Sequence, residues 1–315
     1  MTRMGDTVIG LLHPGEMGAA VAGCLTARGH EVRWVSQGRS PATAARAAQA
    51  GLADAGTVAA MAGQAGIILS VCPPHAALDT AAAVAAAGFT GLYVDANAIS
   101  PAAAREVRAA VETAGGSYVD GGIVGPPPAP GPMAPGGQGS PGSTRLYLAG
   151  GPAGGAAAGP AAQVAALFEG TALNPQILRN EKPAGASALK MAYAAWTKGS
   201  AALLLAARAL ARAEGVEDSL LAEWSLSQPD LGGRSAGAAQ SAAGKGWRWV
   251  GEMEEISASM TADGLPGGFH QAAAEVFRAV SNGAASNGTA SPGGADRRDD
   301  ALVGAVLAWL LAGGA

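Results

Sequence analysis

The sequence is poor in most of the residues that announce a chemistry by themselves. Cysteine occurs twice, at Cys24 and Cys72, and histidine four times, without the clustering that a metal site requires. No metal is therefore expected, and two thiols in apolar stretches suit a reducing, cytoplasmic setting. Charged residues make up 14% of the chain and the formal net charge is −4, which gives no general pull toward nucleic acid or an anionic membrane. Long apolar runs are missing too: the longest, Ala301 to Ala312, falls short of the ~20 residues that span a bilayer. The run TVIGLL near the amino end is too short for the core of a secretion signal and reads as a strand. What is present is 315 residues, 49% of them apolar, enough for a sizeable core in one large domain or two smaller ones. A small molecule is the expected partner.

The first half alternates short β-like runs with Ala-rich helical ones, the pattern of a parallel sheet covered by helices. Strands are expected at Thr7 to Leu12, Glu31 to Val35, Gly66 to Val71, Leu92 to Asp95, Ser117 to Val119 and Thr144 to Leu148. After Lys182 the character changes: Ala184 to Ala213 is an almost unbroken run of strong helix formers, and further helices follow around Asp218 to Ser227, Ala236 to Ala262 and Phe269 to Val280. The expected fold is an α/β Rossmann-type amino-terminal domain, residues 1–180, followed by an all-helical domain, residues 181–315, for substrate and dimerisation. Two segments rich in Gly, Pro and small polar residues, 126–142 and 281–300, read as a mobile loop and a flexible linker. The closing ALVGAVLAWLLAGG is apolar on nearly every face and is expected to dock on another helix, of this chain or of a second subunit.

The first expected strand runs into His13-Pro14-Gly15-Glu16-Met17-Gly18 and then a helix. A dinucleotide-binding turn has this order: Gly15 lets backbone approach a pyrophosphate, Gly18 lets helix pack on strand, and the helix N-terminus offers free N–H groups to the anion. His13 stands where such a turn usually has its first glycine. The acidic residue that would hold a free ribose hydroxyl is absent after the second strand, which continues Ser36-Gln37-Gly38-Arg39-Ser40. Hydroxyls beside a guanidinium suit the 2′-phosphate of NADP, although Arg39 reads equally well as a solvated loop cation. NADP is preferred over NAD. Cys72, Pro73 and Pro74 end another strand where ligand crevices form, and VDANAISP gives Asn97 as a cofactor or substrate contact, with Asp95 and Ser100 as strand end and helix cap.

These stretches resemble the β-hydroxyacid dehydrogenase family, which includes hydroxyisobutyrate and phosphogluconate dehydrogenases and imine reductases, and within it a bacterial phosphogluconate-dehydrogenase-like branch. The carriers are IGLLHPGEMG, LSVCPP, VDANAISP, VDGGIVGP and GASALKMAY, in order between Val8 and about Gly215. The resemblance implies an NAD(P)-dependent dehydrogenase or reductase, with Lys190 as the residue that meets the substrate oxygen. Read alone, Lys190, one of four lysines, either snorkels to solvent or faces a polar cleft. An ammonium in the cleft donates the proton as hydride is delivered and stabilises charge developing on oxygen.

The chain also departs from the family. Tyr193 and Ala194 replace the Asn pair that follows the lysine, so Tyr193 is a second candidate donor one helical turn along. In the substrate run Asp120-Gly121-Gly122-Ile123-Val124-Gly125, Val124 replaces a serine, leaving backbone N–H groups of Gly121, Gly122 and Gly125 to hold an anion. Of the helical half's aromatics, Trp247 and Trp249 are candidate pocket walls, and Arg248 is expected to pair with Glu252. The expected activity is interconversion of a carbonyl and a hydroxyl on a small, carboxylated substrate by a homodimer. An imine reductase and a non-catalytic NADP-binding protein are the alternatives.

Overall fold

The computed structural model describes residues 7–130, 143–149, 159–179, 182–286 and 297–313. They fall into two compact units, 1–190 and 191–315. The first carries, in order, β1 (Ile9–Leu12), α1 (Glu16–Thr26), β2 (Val32–Trp34), α2 (Pro41–Gln49), β3 (Ala53–Asp54), α3 (Val58–Ala62), β4 (Ile67–Ser70), α4 (Ala77–Ala86), β5 (Leu92–Asp95), α5 (Pro101–Thr113), β6 (Ser117–Val124), β7 (Thr144–Ala149), α6 (Pro160–Leu167) and β8 (Leu173–Ile177). The strands form one sheet in the order β3-β2-β1-β4-β5-β6-β7-β8, parallel throughout except between β6 and β7. This is the Rossmann-type architecture expected.

Local chemistry explains the element limits. β1, β4 and β5 are buried at every position, as central parallel strands covered on both faces must be. Ser-Pro pairs open two helices: Ser40 Oγ accepts from Thr43 N at 3.3 Å and Ser100 Oγ accepts from Ala103 N at 3.2 Å, each followed by proline at the first helical position, where no donor is lost. Ile9, Leu11, Ile67, Leu69 and Val94 pack with α1 and α6 on one face of the sheet, while Leu12, Ile68 and Tyr93 pack with α3, α4 and α5 on the other. The order reverses between β2-β1 and β4, so a crevice opens beyond the carboxyl end of β1.

The helical unit is built from the greater part of α7 (Gly185–Ala213) with α8 (Glu217–Ser227), α9 (Leu231–Ala262), α10 (Gly268–Ser286) and α11 (Arg297–Ala312). The linker expected over 281–300 is corrected at both ends. α10 continues to Ser286, and α11 starts at Arg297. Packing overrides the weak helix propensity of SNGAAS: Phe277 and Val280 are buried just before it, and Gly246 of α9 lets Ser281 come close. Residues 287–296, like 131–142 of the expected loop, lie outside the described residues. α11 buries Val303, Val306 and Leu307 and packs on α9 and α10 of its own chain. Among the described residues, no helix is long and apolar enough to cross a membrane.

Candidate active site

The turn after β1 has the tight geometry expected of it, with one unusual feature. His13 adopts φ of 65°, a left-handed conformation that glycine ordinarily supplies, and its carbonyl accepts from Gly15 N at 2.8 Å. A methyl group at Gly18 would overlap that same carbonyl oxygen, so α1 sits directly on the end of β1. At Gly15 an added Cβ would meet nothing within 4 Å, and α1 has no side-chain cap there. The helix start thus carries no side-chain cap and leaves room beside Gly15.

Four cation-forming side chains, His13, Arg39, Arg46 and His75, gather beside this turn. Burial, then Arg39, then His75 hold the His13 imidazole down at about 4. His13 Nδ1 and Arg39 Nε are buried without a hydrogen-bond partner among the described residues. Arg46 on α2 donates through Nε to the Pro14 carbonyl at 3.3 Å and braces the turn. Ser36, Met17 and Pro74 are half-buried, Glu16 and Pro73 exposed, and Cys72 is buried with its thiol pushed up by burial. An uncapped helix start, an open glycine and orphaned donors fit a dinucleotide's phosphates. Arg46 and His75 carried no local signal in the sequence, because only the fold brings them to the turn.

Asn97 is more committed than the sequence suggests. It is 2% exposed; its Oδ1 accepts from Cys72 N at 2.6 Å and its Nδ2 donates to Ser70 Oγ at 3.1 Å. The side chain therefore ties the end of β4 to the loop after β5. Ser100 is the helix cap expected of it.

The run Gly121 to Val124 extends the strand expected to stop at Val119. It is the second half of β6, with Gly121 in register with Leu148 and Val124 with Arg145 of β7, and all four residues are buried. Only Gly125, at φ of 128°, starts a turn. The glycines serve close approach: a Cβ at Gly121 would lie 2.9 Å from the Asp95 carbonyl oxygen, and one at Gly122 would lie 2.8 Å from that of Ala186 and 3.3 Å from Lys190 Cβ.

That contact puts the first turns of α7 against β6. Lys190 Nζ donates to the Ile123 carbonyl at 2.7 Å. Since β6 runs parallel to β5, this ammonium lies at the carboxyl edge of the sheet, the edge where β1 delivers the glycine turn. Burial lowers Lys190 to about 8, so near neutrality it holds a proton it can release. Beneath it lie two buried acids in register, Asp95 and Asp120, pushed up by burial to about 7 and about 6.

Within the helical unit, Tyr193 follows three residues along α7 and is 45% exposed. The expected Arg248–Glu252 pair does not form: Glu252 pairs with Lys198, and Arg248 lies over the Trp247 ring. Trp249 packs edge-on against Phe277.

Residues 7–137 match a family model described as the NAD binding domain of 6-phosphogluconate dehydrogenase, and residues 211–280 match one described only as a domain of unknown function. No curated protein matches the chain. Among solved structures, a conserved protein of unknown function described as structurally similar to 3-hydroxyacid dehydrogenases is 25% identical, at a TM-score of 0.60, over 90% of this chain and 100% of its own. The 3-hydroxyisobutyrate dehydrogenase of Mycobacterium tuberculosis, solved with L-serine, is 18% identical at a TM-score of 0.64, over 86% and 92%. A variant imine reductase from Myxococcus stipitatus, solved with NAD+, is 22% identical at a TM-score of 0.52, over 97% and 99%.

Proposed function

We propose, from the matched cofactor-domain model and the likeness to solved structures, that the chain is a member of the β-hydroxyacid dehydrogenase family and an NADP-dependent oxidoreductase interconverting a carbonyl and a hydroxyl on a small carboxylated substrate, with Lys190 as proton donor and acceptor. The observation that carries the reading is the position of the Lys190 ammonium, 2.7 Å from the Ile123 carbonyl at the carboxyl edge of the sheet. The cofactor, when bound, supplies or accepts a hydride. His13 to Gly18 would hold its pyrophosphate, and Ser36 and Arg39 its 2′-phosphate.

In the direction of reduction, the Lys190 ammonium hydrogen-bonds the carbonyl oxygen, opposes the negative charge that grows there, and gives up one proton as the hydroxyl forms. In oxidation the neutral amine takes that proton back. Because burial places this group at about 8, the sign is set: turnover in reduction should decline above about pH 8, and oxidation should rise through the same range. The test is NADPH consumption with a panel of oxoacids and cyclic imines, followed across pH. Oxoacid turnover with that alkaline decline is the expected result. Turnover of imines alone would favour an imine reductase, with Tyr193 as acid, and cofactor binding without any turnover would favour a non-catalytic role.

Arg39 supports the choice of NADP, since its partly buried guanidinium lies close enough to His13 to depress it. Changing Arg39 to Ala should weaken NADPH binding about 10-fold or more, the loss of a charge-assisted contact, and leave NADH nearly unchanged. Titration of both cofactors by fluorescence checks this, and equal losses for the two would refute the assignment.

A further inference from the structure

A lysine that exchanges protons with a bound substrate must hold its nitrogen to within about half an ångström, yet its side chain is long and flexible. Its backbone therefore has to be fixed first. The amides of Ala186 and Ser187 belong to the first turn of α7, where a helix leaves N–H groups without internal partners. Both are taken by one carboxylate oxygen: Asp120 Oδ2 accepts from Ala186 N at 2.7 Å and from Ser187 N at 3.0 Å, while Ser187 Oγ donates to Asp120 Oδ1 at 2.5 Å. Asp120 stands three residues before Ile123 on β6, so the strand that receives the ammonium also grips the start of its helix. Lys190 follows Ala186 by four residues, on the same helical face, and Gly122 lies between the two anchors with no room for a side chain.

We propose that Asp120, held by Ser187, is a positioning residue for Lys190: its carboxylate clamps the first turn of α7 to β6, and protonation of that carboxylate loosens the clamp and lowers turnover. This rests on the reading of Lys190 as proton donor. The titratable groups around Asp120 are Asp95, its register partner on β5, and the phenol of Tyr118, while β7 offers Ala149 in register. Asp120 carries three donors, whereas Asp95 Oδ2 is buried with no hydrogen-bond partner among the described residues. As pH falls, Asp95 takes up its proton near 7 and Asp120 follows near 6, converting charge-assisted bonds at the helix start into weaker neutral ones.

The test uses Ser187→Ala and Asp120→Asn in the full chain. Hydrogen exchange of the amides at 185–190 in the cofactor-free protein should quicken in both variants. In the wild type, turnover in reduction should fall on the acid side with an apparent pKa near 6. Ser187→Ala removes a donor that favours the ionised acid, so its acid limb should move to higher pH, with NADPH affinity within about two-fold of wild type. Asp120→Asn, if folded, should lose that limb and run about 10- to 100-fold slower, the usual effect of a misplaced catalytic group. Unchanged exchange, or an acid limb that stays in place in Ser187→Ala, would overturn the proposal. A Lys190→Met variant with full turnover would instead remove the reading beneath it, so the two failures are told apart.

Discussion

Lys190→Met is expected to turn over at least ~10²-fold more slowly than the wild type while binding NADPH within about two-fold as tightly. Methionine matches the length and apolar character of the lysine stem, so the packing of α7 against β6 survives. What disappears is the bond to the Ile123 carbonyl and the proton donor that the proposed reading places at the substrate oxygen. The loss falls on kcat more than on cofactor affinity, because the glycine turn is built by β1 and α1, and Lys190 takes no part in it. The acid that burial holds at about 8 should vanish with it, so the alkaline decline of the reduction rate should flatten in the residual activity. Steady-state rates and cofactor titration on one preparation make the comparison.

The second large effect concerns the glycine turn. At Gly18 a methyl group would overlap the His13 carbonyl oxygen, which is backbone and cannot step aside without moving the strand end. Gly18→Ala should therefore cost about 1–3 kcal/mol of stability, as overpacking does, and weaken NADPH binding 10-fold or more as α1 is pushed off its place. Gly15→Ala makes the contrast. Its Cβ meets nothing within 4 Å, so the melting temperature should stay near that of wild type while cofactor affinity falls. Thermal melts paired with cofactor titration check both. Equal destabilisation at the two positions would mean that the turn serves the fold rather than a ligand.

Much of this arrangement was legible in the sequence because its causes are local. Ser100 announced the helix start at Pro101, and short β-like runs announced the central strands. The failures share one cause, distance along the chain. The strand expected to stop at Val119 continues through Gly121 and Gly122 because β7 pairs with them and α7 presses on them. β8 contains Pro175, which reads against a strand and is tolerated because β8 is the edge of the sheet. β3 has two residues, too few for any pattern. His13 gives no hint in sequence that it takes the left-handed conformation of the glycine it replaces.

The site shows the same division. The glycine turn stands out from residue type and spacing on one short segment, whereas Lys190 is singled out only by the family resemblance, its own surroundings fitting a solvated stem as well. Asp120 could not be assigned its clamp, because its partners lie 66 and 67 residues further on. Nor could Asn97 be seen as a tie between two strand ends, since its partners Ser70 and Cys72 precede it by 27 and 25 residues.

A crystal structure of the enzyme with NADP and an oxoacid or hydroxyacid in the cleft tests the central claim most directly. The substrate oxygen should lie about 2.6–3.2 Å from Lys190 Nζ, with the reacting carbon over the nicotinamide ring. A substrate oxygen bound to other groups, with Lys190 turned away from it, would contradict the account.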